Sequence, residues 1–100
     1  MKLSVIILSY AIDEEVYRMN CRAIDTLFAS ETWSDGEPEV LLIESNRESA
    51  YKYDGRVRVL MPEEKFGFHR FFNIGLEQTS GDFIAFCNND IVFQKGWWSA

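Results

Sequence analysis

The sequence predicts an α/β fold, a Rossmann-like and mostly parallel sheet with flanking helices. Two runs, LSVIIL at 3–8 and EVLLIE at 39–44, are almost continuously apolar. Strands buried on both faces read this way, which favours a parallel sheet. Segments of helical periodicity separate the strand-like runs in the order β-α-β-β-α-β, and such alternation implies right-handed crossovers. The length of 100 residues fits one domain, residues 1–100. With 47% hydrophobic and 15% aromatic residues, a packed core is expected.

The first strand covers 3–8, and SYAID breaks it. Asp13 is a candidate N-cap, and Glu14 and Glu15 occupy the first turn, where the helix dipole favours acids. Val16, Met19, Ala23 and Leu27, joined by Ile24 and Phe28, recur at helical spacing and predict a helix over about 14–30. SETWSDGEP is a loop ended by the turn residues Asp35, Gly36 and Pro38. EVLLIE is the second strand, and SNRESAYKYDG a polar loop. RVRVLM, 56–61, alternates and then meets Pro62, so it reads as a third strand nearer an edge. Phe68, Phe71, Phe72, Gly75, Leu76 and Thr79 predict a second helix within 68–81, with Gly81 as its C-terminal stop. DFIAFC is the fourth strand, read as central and covered on both faces. IVF, 91–93, is a candidate fifth strand, and Trp97 and Trp98 read as packing for a further element. The sequence stops four residues after Gly96, where a helix should begin, so the domain reads as truncated.

The net charge is −6, from 16 acids and 10 bases, with no Lys/Arg run, which argues against a nucleic-acid partner. Cys21 and Cys87 have no CxxC or Cys/His spacing. They read as reduced, packed small hydrophobes, and a cytoplasmic location fits. The apolar N-terminal run is too short for a signal peptide and lacks a cleavage site. No stretch approaches the roughly 20 apolar residues of a transmembrane span.

Ligands of open parallel sheets bind outside the carboxyl ends of the strands. Those ends hold Ser9-Tyr10, Glu44-Ser45-Asn46, Glu63-Glu64-Lys65 and Asn88-Asn89-Asp90. No GxGxxG or GxxxxGKS/T loop is present, which disfavours a classical dinucleotide or Walker site. An Asp carboxylate with neighbouring amide oxygens is a hard ligand set, suited to Mg²⁺ or Mn²⁺ shared with substrate phosphates. Asn and Asp are also ordinary turn residues, because their side chains bond nearby backbone. Spacing leaves both readings open.

At these residues the chain resembles the first half of a family 2 glycosyltransferase with the GT-A fold. LSVIILSYA, Leu3 to Ala11, is similar to the family's VSVIIPTYN. LIESN, ending at Asn46, stands at its vDDgS pattern. KFGFHRFFNIGLEQTSGDFIAFCNND is similar to NxGxxxARNxG followed by aGdyiaflDxD. The resemblance implies a GT-A-type fold, a nucleoside-diphosphate-sugar donor, a sugar or glycan acceptor, and Mg²⁺ or Mn²⁺ as cofactor. It puts Asn88 and Asp90 at the metal, with Asp90 the direct ligand, and Asn89 near the donor ribose or phosphates. Glu44 would contact the nucleotide base, and Ser9 and Tyr10 would cradle it. Asn46 would join this donor-binding set. Asn73, with Gly75, would support the donor pocket, and Asp82, matching the Asp that opens the fourth strand, would join the donor-binding set.

Five positions depart from the family pattern. Asn88 replaces the first acid of DxD. Lys65 stands where Asn is frequent. Phe71-Phe72 replaces Ala-Arg, and Arg70, two positions before Phe72, lies about 200° away round a helix. Glu44 is longer by one methylene than the usual Asp. No residue supplies the catalytic base, which the family places downstream in the acceptor half. The implied activity is sugar transfer from the donor to an acceptor hydroxyl, with this chain as the donor-binding half. One alternative is a truncated, non-catalytic module that self-associates through open sheet edges. A nucleotidyltransferase is a weaker alternative, opposed by the acidic SYAIDEE where a glycine- and basic-rich loop would stand.

Overall fold

A computed structural model describes residues 2–99. The elements run β1 (Leu3–Ser9), α1 (Glu14–Ala29), β2 (Glu39–Glu44), β3 (Val57–Leu60), α2 (Phe68–Gln78) and β4 (Phe83–Asn88). The four strands form one sheet in the order β3-β2-β1-β4, and every pairing is parallel. The predicted α/β class and element order are therefore observed.

The continuous apolar runs have the expected cause. Leu3, Val5 and Ile7 of β1 face one core with Ile24 and Leu27 of α1, Val40 and Leu42 of β2, and Phe93. Ile6 of β1 faces the other with Leu41 and Ile43 of β2 and Phe71 and Ile74 of α2. Both central strands are thus sandwiched between helical layers. Asp13 caps α1 as predicted, accepting from the Val16 N–H at 3.0 Å. Gly75 lets α2 approach the sheet, since a Cβ there would lie 2.9 Å from Ile6 Cδ1.

Four expectations are corrected. β4 is an edge strand among the described residues, and Phe83 and Ile84 are 44% and 38% exposed. Its apolar sequence therefore does not report two covered faces here. Ile91–Phe93 forms no strand; Phe93 turns into the α1-side core while Ile91 and Val92 stay exposed. α2 ends at Gln78, and Thr79 at its cap is extended. Gly81 is not the helix stop. It is needed because a Cβ would meet Ser4 Oγ at 2.4 Å and the Ser4 backbone nitrogen at 2.7 Å. Trp97 and Trp98 pack against the α1-side core as expected, and Trp97 Nε1 donates to Ser30 Oγ at 2.9 Å.

Candidate donor-binding site at the carboxyl rim

Parallel register brings the strand ends together. Ser9 lies beside Glu44, and Leu8 beside Asn88. A cavity of about 620 Å³ opens at this rim. Its apolar wall comes from Leu8, Tyr10, Val16, Met19, Phe66 and Phe68, and its polar groups from Ser9, Ser45, Asn88 and Asn89. Of the residues predicted from sequence, Ser9, Tyr10 and Asn89 line it, together with the predicted metal residue Asn88. Phe66 and Phe68 were missed, because periodicity assigns Phe68 to the buried face of α2, whereas it is 52% exposed.

Glu44 is placed differently from the expectation that it contacts a base. It is 1% exposed. Its Oε1 accepts from Ser9 Oγ at 2.9 Å. Its Oε2 accepts from the Ala11 N–H at 2.9 Å and the Asn46 N–H at 3.0 Å. The longer side chain folds back under the rim, and its acceptors are used by the protein itself. Asn46 reinforces the same junction, as its Nδ2 donates to the Ala11 carbonyl at 2.9 Å.

A buried layer behind these residues was also missed. Asn20 is fully buried, and its Nδ2 donates to Ser9 Oγ at 2.7 Å and to Tyr53 Oη at 2.8 Å. Its Oδ1 is buried with no partner among the described residues. Burial pushes the Tyr53 phenol up to about 12. Tyr53 reaches this position because the loop after β2 is held to α1. Tyr17 stacks on Tyr51 with ring centroids 4.4 Å apart, and its hydroxyl donates to the Lys52 carbonyl at 2.7 Å. The sequence signal was a polar residue, four after Val16, inside the apolar stripe of a helix.

The remaining predicted residues lie apart from the cavity. Asp90 is exposed in the turn just after β4. Asn73 is exposed on α2. Asp82 stands at the opposite end of β4 from Asn88, where its Oδ2 accepts from the Lys2 N–H at 2.9 Å. Arg70 pairs with Glu64 through Nε at 2.8 Å and Nη2 at 3.0 Å, so its guanidinium is already engaged.

Among the described residues no cluster of three acidic, histidine or cysteine side chains could hold a metal by itself. Asn88, Asn89 and Asp90 offer one carboxylate and two amide oxygens. Such a set fits a hard cation only when the substrate's own oxygens complete the shell. No lysine or arginine lines the cavity.

Residues 21–100 match the family model for glycosyl transferase family 2, and the chain belongs to that family. The solved structure of S. aureus TarS 1-349 is similar, with a TM-score of 0.74 and 22% sequence identity. The match covers 99% of this chain and 30% of that one, and at this identity it shows the shared GT-A-type fold. No curated protein matches the sequence. No helix of the described residues is long and apolar enough to cross a membrane.

Proposed function

We propose that this chain carries the donor-binding half of a metal-assisted glycosyltransferase, one that transfers a sugar from a nucleoside-diphosphate sugar to an acceptor hydroxyl. The supporting observation is the rim cavity in a family 2 chain, which Tyr10, Phe66 and Phe68 line together with Ser45, Asn88 and Asn89. Exposed aromatic side chains suit a nucleobase, and the amide groups suit ribose and phosphate oxygens. A diphosphate brings negative charge to a cavity without a basic side chain. A shared Mg²⁺ or Mn²⁺ on Asp90 and Asn88 would neutralise that charge. Ser9, Glu44 and Asn46 serve the donor by shaping the rim. Asn73 and Asp82 would act through the helix and the strand start that carry them. The two unbonded cysteines agree with a reducing cytoplasm.

Calorimetric titration with UDP and GDP, with and without Mn²⁺, tests this reading. Binding should require Mn²⁺ and fall at least tenfold in Asp90→Ala, the lower range for a lost hydrogen-bonded ligand to a charged group. Binding that is absent, or metal-independent and unchanged by Asp90→Ala, overturns it.

The open β4 edge favours a second reading, self-association through the sheet. Its backbone is unpaired on one side among the described residues, and Phe83 and Ile84 are exposed beside it.

A further inference from the structure

Glu44 stands one position before Ser45, a cavity residue, yet its carboxylate faces away from the cavity. Two of its three bonds join the exit of β2 to Ser9 at the end of β1 and to Ala11 in the loop beyond, and the third holds Asn46 on its own strand exit. Three more bonds close the same junction. The Ser45 N–H and hydroxyl both donate to the Ser9 carbonyl, at 2.8 and 2.9 Å, and Asn46 Nδ2 donates to the Ala11 carbonyl. Between the two clamped residues sits Tyr10, 57% exposed and on the cavity wall. Its neighbours on both sides are fixed while its ring is free to meet a ligand.

The layer beneath extends the clamp. Asn20 holds Ser9 Oγ from below, which leaves that hydroxyl's proton for Glu44. The orphaned Asn20 Oδ1 carries the desolvation cost of an unpaired buried acceptor. A methyl-bearing side chain would avoid that cost but would release Ser9. We infer that Glu44 is a positioning residue for the donor site, supported by Asn20: it touches no nucleotide and holds Tyr10 where a nucleobase stacks. This rests on the donor-site reading above.

The clamp needs a carboxylate. One oxygen receives two backbone N–H groups and the other a hydroxyl. Glutamine at the same place presents one acceptor and one NH₂, so its oxygen keeps the two backbone N–H groups only if Ser9 Oγ accepts from the NH₂ and turns its own proton out of the clamp. The loop then leaves its binding geometry part of the time, and apparent affinity falls by the competent fraction. A loop competent one-tenth of the time binds about tenfold more weakly, whatever the base.

UDP and GDP titrations in Mn²⁺ on the wild-type chain, Glu44→Gln, Tyr10→Ala and the double variant decide the matter. Glu44→Gln should weaken both nucleotides by a common factor of about ten. On the Tyr10→Ala background it should add little, because the two changes remove one contact. Without nucleotide, amide exchange at Ala11 and Asn46 should quicken. Glu44→Asp keeps the acceptors and should recover part of the loss; it replaces Glu44→Gln if circular dichroism shows that variant unfolded. A changed UDP-to-GDP ratio, or a loss fully additive with Tyr10→Ala, shows direct base contact and overturns the inference. Unchanged affinity in Glu44→Gln overturns it too, while leaving the donor site standing. A wild-type chain that binds neither nucleotide overturns the donor-site reading, and the role of Glu44 falls with it.

Discussion

Single atoms decide several features of this chain. Gly81 has an ordinary backbone but no room for a side chain, since a Cβ would collide with the Ser4 backbone nitrogen at 2.7 Å. Its N–H also donates to Ser4 Oγ at 2.8 Å. Backbone cannot yield as a flexible side chain can, so Gly81→Ala should lose about 2–3 kcal/mol, read as a lower urea midpoint at unchanged m. At Gly75 a Cβ would meet side chains instead, those of Ile6 and Ile43, which are fully buried and have little room to move. These glycines look alike in sequence to the exposed turn glycine Gly36, whose φ is 104°. Periodicity can mark a glycine in a helix, but it cannot say which atoms lie across from it.

At the scale of elements, polar side chains tie strand to strand at both ends of the sheet. At the rim the tie is Glu44. At the opposite end it is Glu39, which accepts from Ser4 Oγ at 2.7 Å and from the Ser80 N–H at 2.9 Å. It thereby joins β1, β2 and the turn leading into β4. Burial by itself would raise the Glu39 carboxyl. The Ser80 and Ser4 hydrogen bonds and the nearby Lys2 outweigh it and hold the group below its ordinary 4.5. A lowered folded value means that this tie contributes its full stability above pH 4.5 and loses it as pH falls through the folded value. Urea midpoints measured from pH 6 downwards, as an estimated window, should therefore decline on the acid side, and Glu39→Gln should flatten the decline. The helices were more legible than these ties. Asp13, the acidic first turn and the Val16–Ala23–Leu27 stripe mark α1 without any tertiary information. α2 was overextended because Thr79 continues the helical spacing, whereas the chain turns extended there to deliver Gly81 to Ser4.

For the whole molecule, the sheet order leaves β3 and β4 at the edges. β3 carries Arg58 at mid-strand, a charge that discourages edge pairing. β4 has no charge between Phe83 and Asn88 and exposes Phe83 and Ile84. If the chain associates with itself, β4 is the favoured edge. Sedimentation velocity should show concentration-dependent dimers that Ile84→Lys removes, with secondary structure retained by circular dichroism. Dimers unaffected by that change would move the contact elsewhere, and a monomer at all concentrations would refute the self-association reading.

The α/β class, the order of six elements, the family, and the carboxyl rim as the end where a cavity opens were legible along the chain. Those follow from local periodicity, strand-end composition and contiguous motifs, all of which are written along the chain. Packing alone put Glu44 inward, Asn20 and Tyr53 behind Ser9, and Phe68 open to the cavity. Such facts depend on which residues meet through space: Glu44 meets Ala11 33 positions away, Asn20 meets Tyr53 33 away, and Ser45 meets Ser9 36 away. A carboxylate at a strand end is chemically equal to reaching out to a ligand or in to three donors. The neighbours that packing brings to it settle which.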